Sequence, residues 1–318
     1  AIGVIVLPIL MSLGIPKAIA MFTFMGSVSA GMYLNPVLQF SQLRAFICAS
    51  DEMPEFTFSW YTSHWGIYAL IISVVVVSVL TGIYLKIGKK SHAWAAQAAP
   101  KNTQTDAPLI ALILPIVPVV LKIWLDFSVI GGFVIAGFAA LFLCGKMNKS
   151  FKENCQLVNK LYYDGVVDTA PLVGFLLTLP MFNTCASYAS PYFKEVLGGI
   201  MPTNEYVVCA LFAALSILGF FRGPLTLYGC GAATLGVLSS VGHFSVPFLF
   251  CVFTIPATTV NVGSCITQSW IAWGLAYTKV ESRDYLKLSI PFAYICSILL
   301  YILTAFTVTG LGPEWFLS

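Results

Sequence analysis

The chain has 318 residues, 58% of them hydrophobic and 9% charged, with a formal net charge of +3. A soluble domain carries about 25% charged residues, so this chain lacks the polar surface that water requires, and so small a net charge gives no basic face for nucleic acid. With a mean hydropathy of +0.89, the composition is that of a protein whose apolar side chains face lipid.

Taken in chain order, Ala1 lies inside an apolar stretch with no positively charged leader or cleavage site. That reads as a fragment whose earlier helices precede Ala1, not as a signal peptide. Apolar stretches 1–14 and 16–48 are interrupted at 26–36, GSVSAGMYLNP, where small residues and hydroxyls meet Asn35 and a proline. The loop 49–64 holds Asp51, Glu52 and Glu55 and no lysine or arginine. A span is expected from about Trp65 to Leu85, around VVVVSVL, since about 20 apolar residues cross the hydrocarbon core. The polar, alanine-rich segment 86–107 carries Lys86, Lys89, Lys90 and Lys101 against Asp106 and reads as a linker between halves.

Further spans are expected at 109–125 and 130–144, joined near Asp126. The segment 145–169 follows with Lys146, Lys149, Lys152 and Lys160, and its part 150–163 reads as an amphipathic helix at the membrane surface. Both lysine-rich segments are cytoplasmic by the positive-inside rule, and two crossings between them keep the topology consistent. Beyond a less regular stretch at 170–187, spans are expected at 206–221 and 286–308. Between these two, the stretches 223–241 and 245–277 are rich in Gly, Pro, Ser, Thr and Asn.

Two more interruptions fall in this second half. RGPLTLYGCGAAT (222–234) reads as a re-entrant hairpin or broken helix, and PATTVNVGSCITQS (256–269) breaks helical pattern between apolar flanks. Irregular backbone at membrane depth persists only inside protein or along a cavity, and paired interruptions in two halves point to a transporter binding site. Helix-packing faces of small residues are the plainer alternative. Arg222 fits two roles, a bidentate partner for a carboxylate or a snorkelling end-of-span cation. Lys17, Arg44 and Lys122 read as snorkelling residues near span ends. His64, His92 and His243 fall in loops, and Asn183 is a candidate interhelical contact. The nine cysteines are scattered without CxxC spacing, which indicates neither a metal site nor a disulfide framework.

The passages LGIPKAIAMFTFMGSVSAGMYLNP (13–36), RGPLTLYGCGAATLGVLSS and VNVGSCITQSWIAWGLAYTKVESRDYLKLSIPF resemble the hairpins and final broken helix of the ion-transporter superfamily. Within it, the gluconate-permease and citrate/C4-dicarboxylate branches are the most similar. The resemblance implies an inner-membrane, multi-pass symporter or antiporter for organic anions, built from two inverted repeats and often homodimeric. It implies substrate contacts from Ser27, Ser29 and Asn35 in the first half and Thr226, Asn261, Ser264 and Thr267 in the second. The GPLTLYG stretch departs from the Ser/Thr-rich run of a gluconate permease, which favours small carboxylates over sugar acids.

The expected fold is therefore an all-α membrane protein, a polytopic bundle of about 8–10 spans with inverted repeats and broken helices. It divides into first-half segments 1–85, the linker 86–107, and second-half segments 108–318. The expected function is secondary active transport of a citrate-, C4-dicarboxylate- or sugar-acid-like anion, with Ser27, Ser29, Asn35, Arg222, Thr226, Asn261, Ser264 and Thr267 as binding residues. The partners are that anion and membrane lipid, with no nucleic acid. No cofactor or metal is called for, and no acid lies well inside a span, so the coupling ion is left open between H+ and Na+. A channel or a non-catalytic membrane subunit is the alternative. An enzyme is not expected, because no Asp pair, HExxH or GxSxG occurs in the right context.

Overall fold

The computed structural model describes residues 2–47, 54–88, 108–125, 127–148, 150–167, 181, 184–185, 188, 192, 195, 202–241 and 244–311. Most of these are helical, with no strand among them. Outside the described residues fall Cys48, Asp51, Glu52, Asp126, Lys149, Asn183 and His243, most of the 170–187 stretch, and 89–107 of the expected linker with Lys89, Lys90, His92, Lys101 and Asp106. By contact the chain forms two compact units, one from Ile2–Gln97 with Leu176–Ser318, the other from Ala98–Phe175.

The larger unit begins with α1 (Ile2–Ser12), which stops at Gly14 with φ of 80°. Pro16 then opens α2 (Lys17–Met32). The expected interruption at 26–36 is therefore displaced, because α2 runs unbroken through Gly26, Ser27 and Ser29 to Met32. Gly26 serves close packing instead: a Cβ there would stand 2.8 Å from Val77 Cγ2 of α5 (Ile67–Gly88). The nearby Thr23 and Thr81 hydroxyls meet at 2.9 Å, the small-residue and hydroxyl packing by which helices associate in lipid. The chain breaks at Asn35-Pro36, and a wide π-helical turn (Pro36–Ser41) leads into α3 (Gln42–Ile47).

A short α4 (Phe58–Tyr61) and a π turn (Thr62–Gly66) run straight into α5, so Phe58–Lys86 forms one apolar helix of 29 residues. At about 1.5 Å per residue it is longer than the ~30 Å hydrocarbon core. In the C-terminal part of the unit, α9 (Glu205–Ala214) bends by 64° into a 3-10 helix (Ser216–Arg222). The straight span expected at 206–221 is thus a bent pair. After a tight loop come α10 (Gly231–Val241), α11 (Val246–Ile255), a π turn (Pro256–Val262) and α12 (Ser269–Thr278). The chain then enters α13 (Ser282–Thr307), a second long apolar helix of 26 residues.

Helix α2 packs along α5, and α13 lies against both and against α9. Phe22 sits at their junction, edge-on to Tyr84 at 5.5 Å and to Phe292 at 5.8 Å. A second aromatic knot joins Phe40 and Tyr61 to Phe250 of α11 at 5.3 and 5.1 Å. Proline also explains a tie across the core. Pro256 has no N–H for the Val252 carbonyl one turn earlier, and the Tyr301 hydroxyl of α13 donates to that carbonyl at 3.3 Å.

The smaller unit contains a 3-10 helix (Leu109–Ile116), α6 (Val117–Leu125), α7 (Val129–Leu143) and α8 (151–167). The span expected at 109–125 is not one regular helix: Pro115 and Pro118 remove two N–H donors where the 3-10 and α-helical segments join. Helix α7, with 15 residues, is apolar throughout.

Candidate functional site

The polar interruptions of the second half gather in the interior of the larger unit, against the end of α2. In the π turn Pro256–Val262 the wider helical winding presents carbonyls to side chains as well as to the helix. The Thr258 carbonyl takes the Gly263 N–H and, at 3.2 Å, the Ser29 hydroxyl. The Thr259 carbonyl takes the Ser264 hydroxyl at 3.3 Å, and that hydroxyl also reaches the Ser289 carbonyl of α13 at 3.2 Å. From the α2 side, the Tyr33 hydroxyl lies 2.5 Å from Thr259 Oγ1, and Gln39 Nε2 donates to Thr258 Oγ1. Gly263 permits this crossing, since a Cβ there would stand 2.9 Å from Ser29 Cβ. Tyr285 closes the far side by donating to the Gly263 carbonyl at 2.6 Å.

Ser29, Gln39, Thr258, Thr259, Asn261 and Ser264 are all buried. Asn261 stands apart within this group. It is 1% exposed, and neither its Oδ1 nor its Nδ2 has a hydrogen-bond partner. Gln39 Oε1 and Thr254 Oγ1 are likewise buried without a partner. An unsatisfied buried polar group costs about 1–3 kcal/mol, and such groups in a native fold mark a ligand, an ion or water as their partner.

Against this cluster packs the loop that carries Arg222. Phe221 and Arg222 both adopt left-handed backbone, with φ of 52° and 59°, a conformation that costs a non-glycine residue roughly 1–2 kcal/mol. Several contacts hold them there. The Phe221 N–H donates to Cys265 Sγ at 3.1 Å, and the Arg222 carbonyl accepts from Cys230 N at 3.1 Å. The Thr226 hydroxyl donates to the Gly219 carbonyl at 2.8 Å, and Gly219 in turn faces Pro256 and Val260 of the π turn. The half-buried guanidinium of Arg222 donates to the Tyr228 carbonyl at 3.1 Å and to Gln268 Oε1 at 2.9 Å. Gln268 is the residue at the N-cap of α12, and with its side chain turned to Arg222 it makes no cap hydrogen bond. A fixed cation thus stands beside a helix N-terminus that no side chain caps, and both are favourable to negative charge.

The structure therefore brings together Ser29, Asn261 and Ser264, with Arg222 and Thr226 on the loop packed against their segment. It separates the others. Ser27 is exposed and donates back to the Thr23 carbonyl at 2.8 Å. Thr267 is exposed beside Cys265 Sγ at 2.9 Å. Asn35 is committed to its own turn, its Oδ1 accepting from Val37 N at 3.0 Å and Leu38 N at 2.8 Å. Replacing Asn35 by Ala should lower stability by about 1 kcal/mol, the worth of a lost helix cap, while Asn35→Asp should restore it. Thermal unfolding of the two variants checks this, and equal melting of Ala and Asp variants would refute the cap. Reading the sequence missed Gln39, Tyr33, Gln268 and Tyr285, whose only signal was a polar group within an apolar or interrupted stretch.

Fold and site together define a helical protein with, among the described residues, two helices long and apolar enough to cross a membrane, or three if the bent pair is one span. No family model matches the chain, and neither a curated protein nor a solved structure matches it.

Proposed function

We propose that the protein is a secondary active transporter of a small organic anion, a citrate- or C4-dicarboxylate-like carboxylate or a sugar acid, driven by H+ or Na+. The observation that carries this reading is the Arg222 guanidinium beside the uncapped N-terminus of α12, on a loop packed against the interrupted segment 256–264. A planar guanidinium grips a carboxylate with two parallel hydrogen bonds, and a helix N-terminus adds oriented N–H donors. The partnerless Asn261 amide offers both a donor and an acceptor in the same region. The oxygen-rich set of Ser29, Thr258, Thr259 and Ser264 is the kind of donor array that holds a sodium ion at a broken helix.

The wider reading is a multi-pass inner-membrane carrier of about 8–10 spans, built as inverted repeats and working as a homodimer. In it the site opens alternately to the two sides as one repeat rocks against the other. Proteoliposomes holding the full-length protein test the function directly, with labelled citrate, succinate and gluconate and with sodium and proton gradients imposed separately. Accumulation of one anion under one gradient is expected. Folded protein that accumulates none of the three under either gradient would overturn the reading.

A further inference from the structure

The smaller unit carries a feature that the transport reading does not use. Helix α7 ends at Gly145, whose φ of 66° turns the chain, with the Lys146 N–H returned to the Leu141 carbonyl at 3.0 Å. Asn154 Nδ2 donates to the Met147 carbonyl at 2.9 Å and fixes the start of α8 against this turn. On α8 the residues Phe151, Cys155, Val158 and Tyr162 recur at spacings of 4, 3 and 4 and form one stripe. The opposite side carries Glu153, Lys160 and Asp164. The apolar stripe faces Phe138 and Phe142 of α7 across an open groove of about 660 Å³. At its Phe151 end the groove continues onto Lys152 and Gln156.

We infer that this groove is a binding site for an anionic phospholipid, its acyl chain lying between α7 and α8 and its phosphate on Lys152 and Lys146. Two observations select lipid as the occupant. Helix α7 exposes Ile130, Phe133, Val134, Ile135, Phe138 and Phe142, so it presents apolar side chains around most of its circumference, a surface that hydrocarbon satisfies and water does not. The charge at the start of α8 is also basic, with Lys146, Lys149 and Lys152 against Glu153 alone between 146 and 158. An amphipathic helix entered through a basic segment lies in the headgroup layer, where those lysines meet phosphate. The site is independent of the proposed transport.

The test is native mass spectrometry of the full-length protein titrated with phosphatidylglycerol and with phosphatidylcholine of the same chains. One retained phosphatidylglycerol is expected. The Lys146→Ala/Lys152→Ala pair should weaken its binding about thirtyfold and leave phosphatidylcholine unchanged. Lys160→Ala, on the opposite side of α8, should change neither. Val158→Trp should obstruct the middle of the groove and abolish retention of both lipids. A phosphatidylglycerol with a photoactivatable acyl chain, used on the unmutated protein, should leave its adduct within 151–162. Equal retention of the two lipids, or retention that survives Val158→Trp, overturns the assignment. So does an absence of adduct at 151–162, the result if another segment of this chain or a second copy covers the groove.

Discussion

Replacing Gly229 by alanine should lower stability by about 3 kcal/mol, the upper range for forcing an extra carbon into packed structure, and should abolish uptake. A Cβ at Gly229 would stand 2.1 Å from the Arg222 carbonyl oxygen and 2.6 Å from its carbon. Neither side has room to move. The Arg222 carbonyl is tied to Cys230 N at 3.1 Å, and its residue is already in left-handed backbone. The loop must open, and opening it pulls the Tyr228 carbonyl from the guanidinium that it holds at 3.1 Å. Arg222 then loses the orientation on which the proposed anion binding depends. Gly82→Ala is the matched control, because a Cβ there meets nothing within 4 Å and, inside α5, should raise stability by about 0.5–1 kcal/mol. Thermal unfolding of both variants in the same detergent decides the matter. Equal melting would mean that the loop yields easily and that its geometry is no constraint.

Asn261→Leu should move stability and activity in opposite directions. The amide is buried with both polar atoms partnerless, so an apolar side chain of similar volume relieves a penalty of about 1–3 kcal/mol. A gain of about 1 kcal/mol is expected once imperfect fit is subtracted. Uptake should fall to background, because the variant can neither donate nor accept in the site. A residue kept only for packing would behave otherwise: its replacement would leave uptake intact. Paired unfolding and proteoliposome measurements separate the two cases, and a less stable variant that still transports would remove Asn261 from the site.

Part of this molecule was legible in its sequence. The span expected at 65–85 falls within the helix Phe58–Lys86, and that expected at 286–308 matches Ser282–Thr307 but for its last residue, since sustained apolar runs admit few alternatives in length. PATTVNVGS announced an interruption because proline, hydroxyls and glycine occur together between apolar flanks, and Pro256–Val262 is such a turn. The bend after α9 was not legible. CALFAALSILG offers no proline and no glycine before Gly219, and the distortion accompanies the packing of Gly219 against Pro256 and Val260, some forty positions later. Asn35 was read as a binding residue, although an asparagine directly before a helix-opening proline is equally a cap signal. Gln39 was invisible for a different reason. A single amide among apolar residues gives no pattern, and its meaning came only from the threonine it meets.

The contacts that join the early and late parts of the chain have a consequence for how the molecule is made. Ser29 and Thr258 are separated by 229 positions, Tyr33 and Thr259 by 226, and Trp65 and Thr304 by 239. A ribosome adding about 5–20 residues per second delivers the second member of each pair at least ten seconds or so after the first. Any nascent chain that ends before Thr258 therefore carries Ser29, Tyr33 and Gln39 without their eventual partners. Because a bare hydroxyl or amide is costly in an apolar interior, folding of α2 calls for water or an early helix to shelter these groups until the C-terminal third arrives.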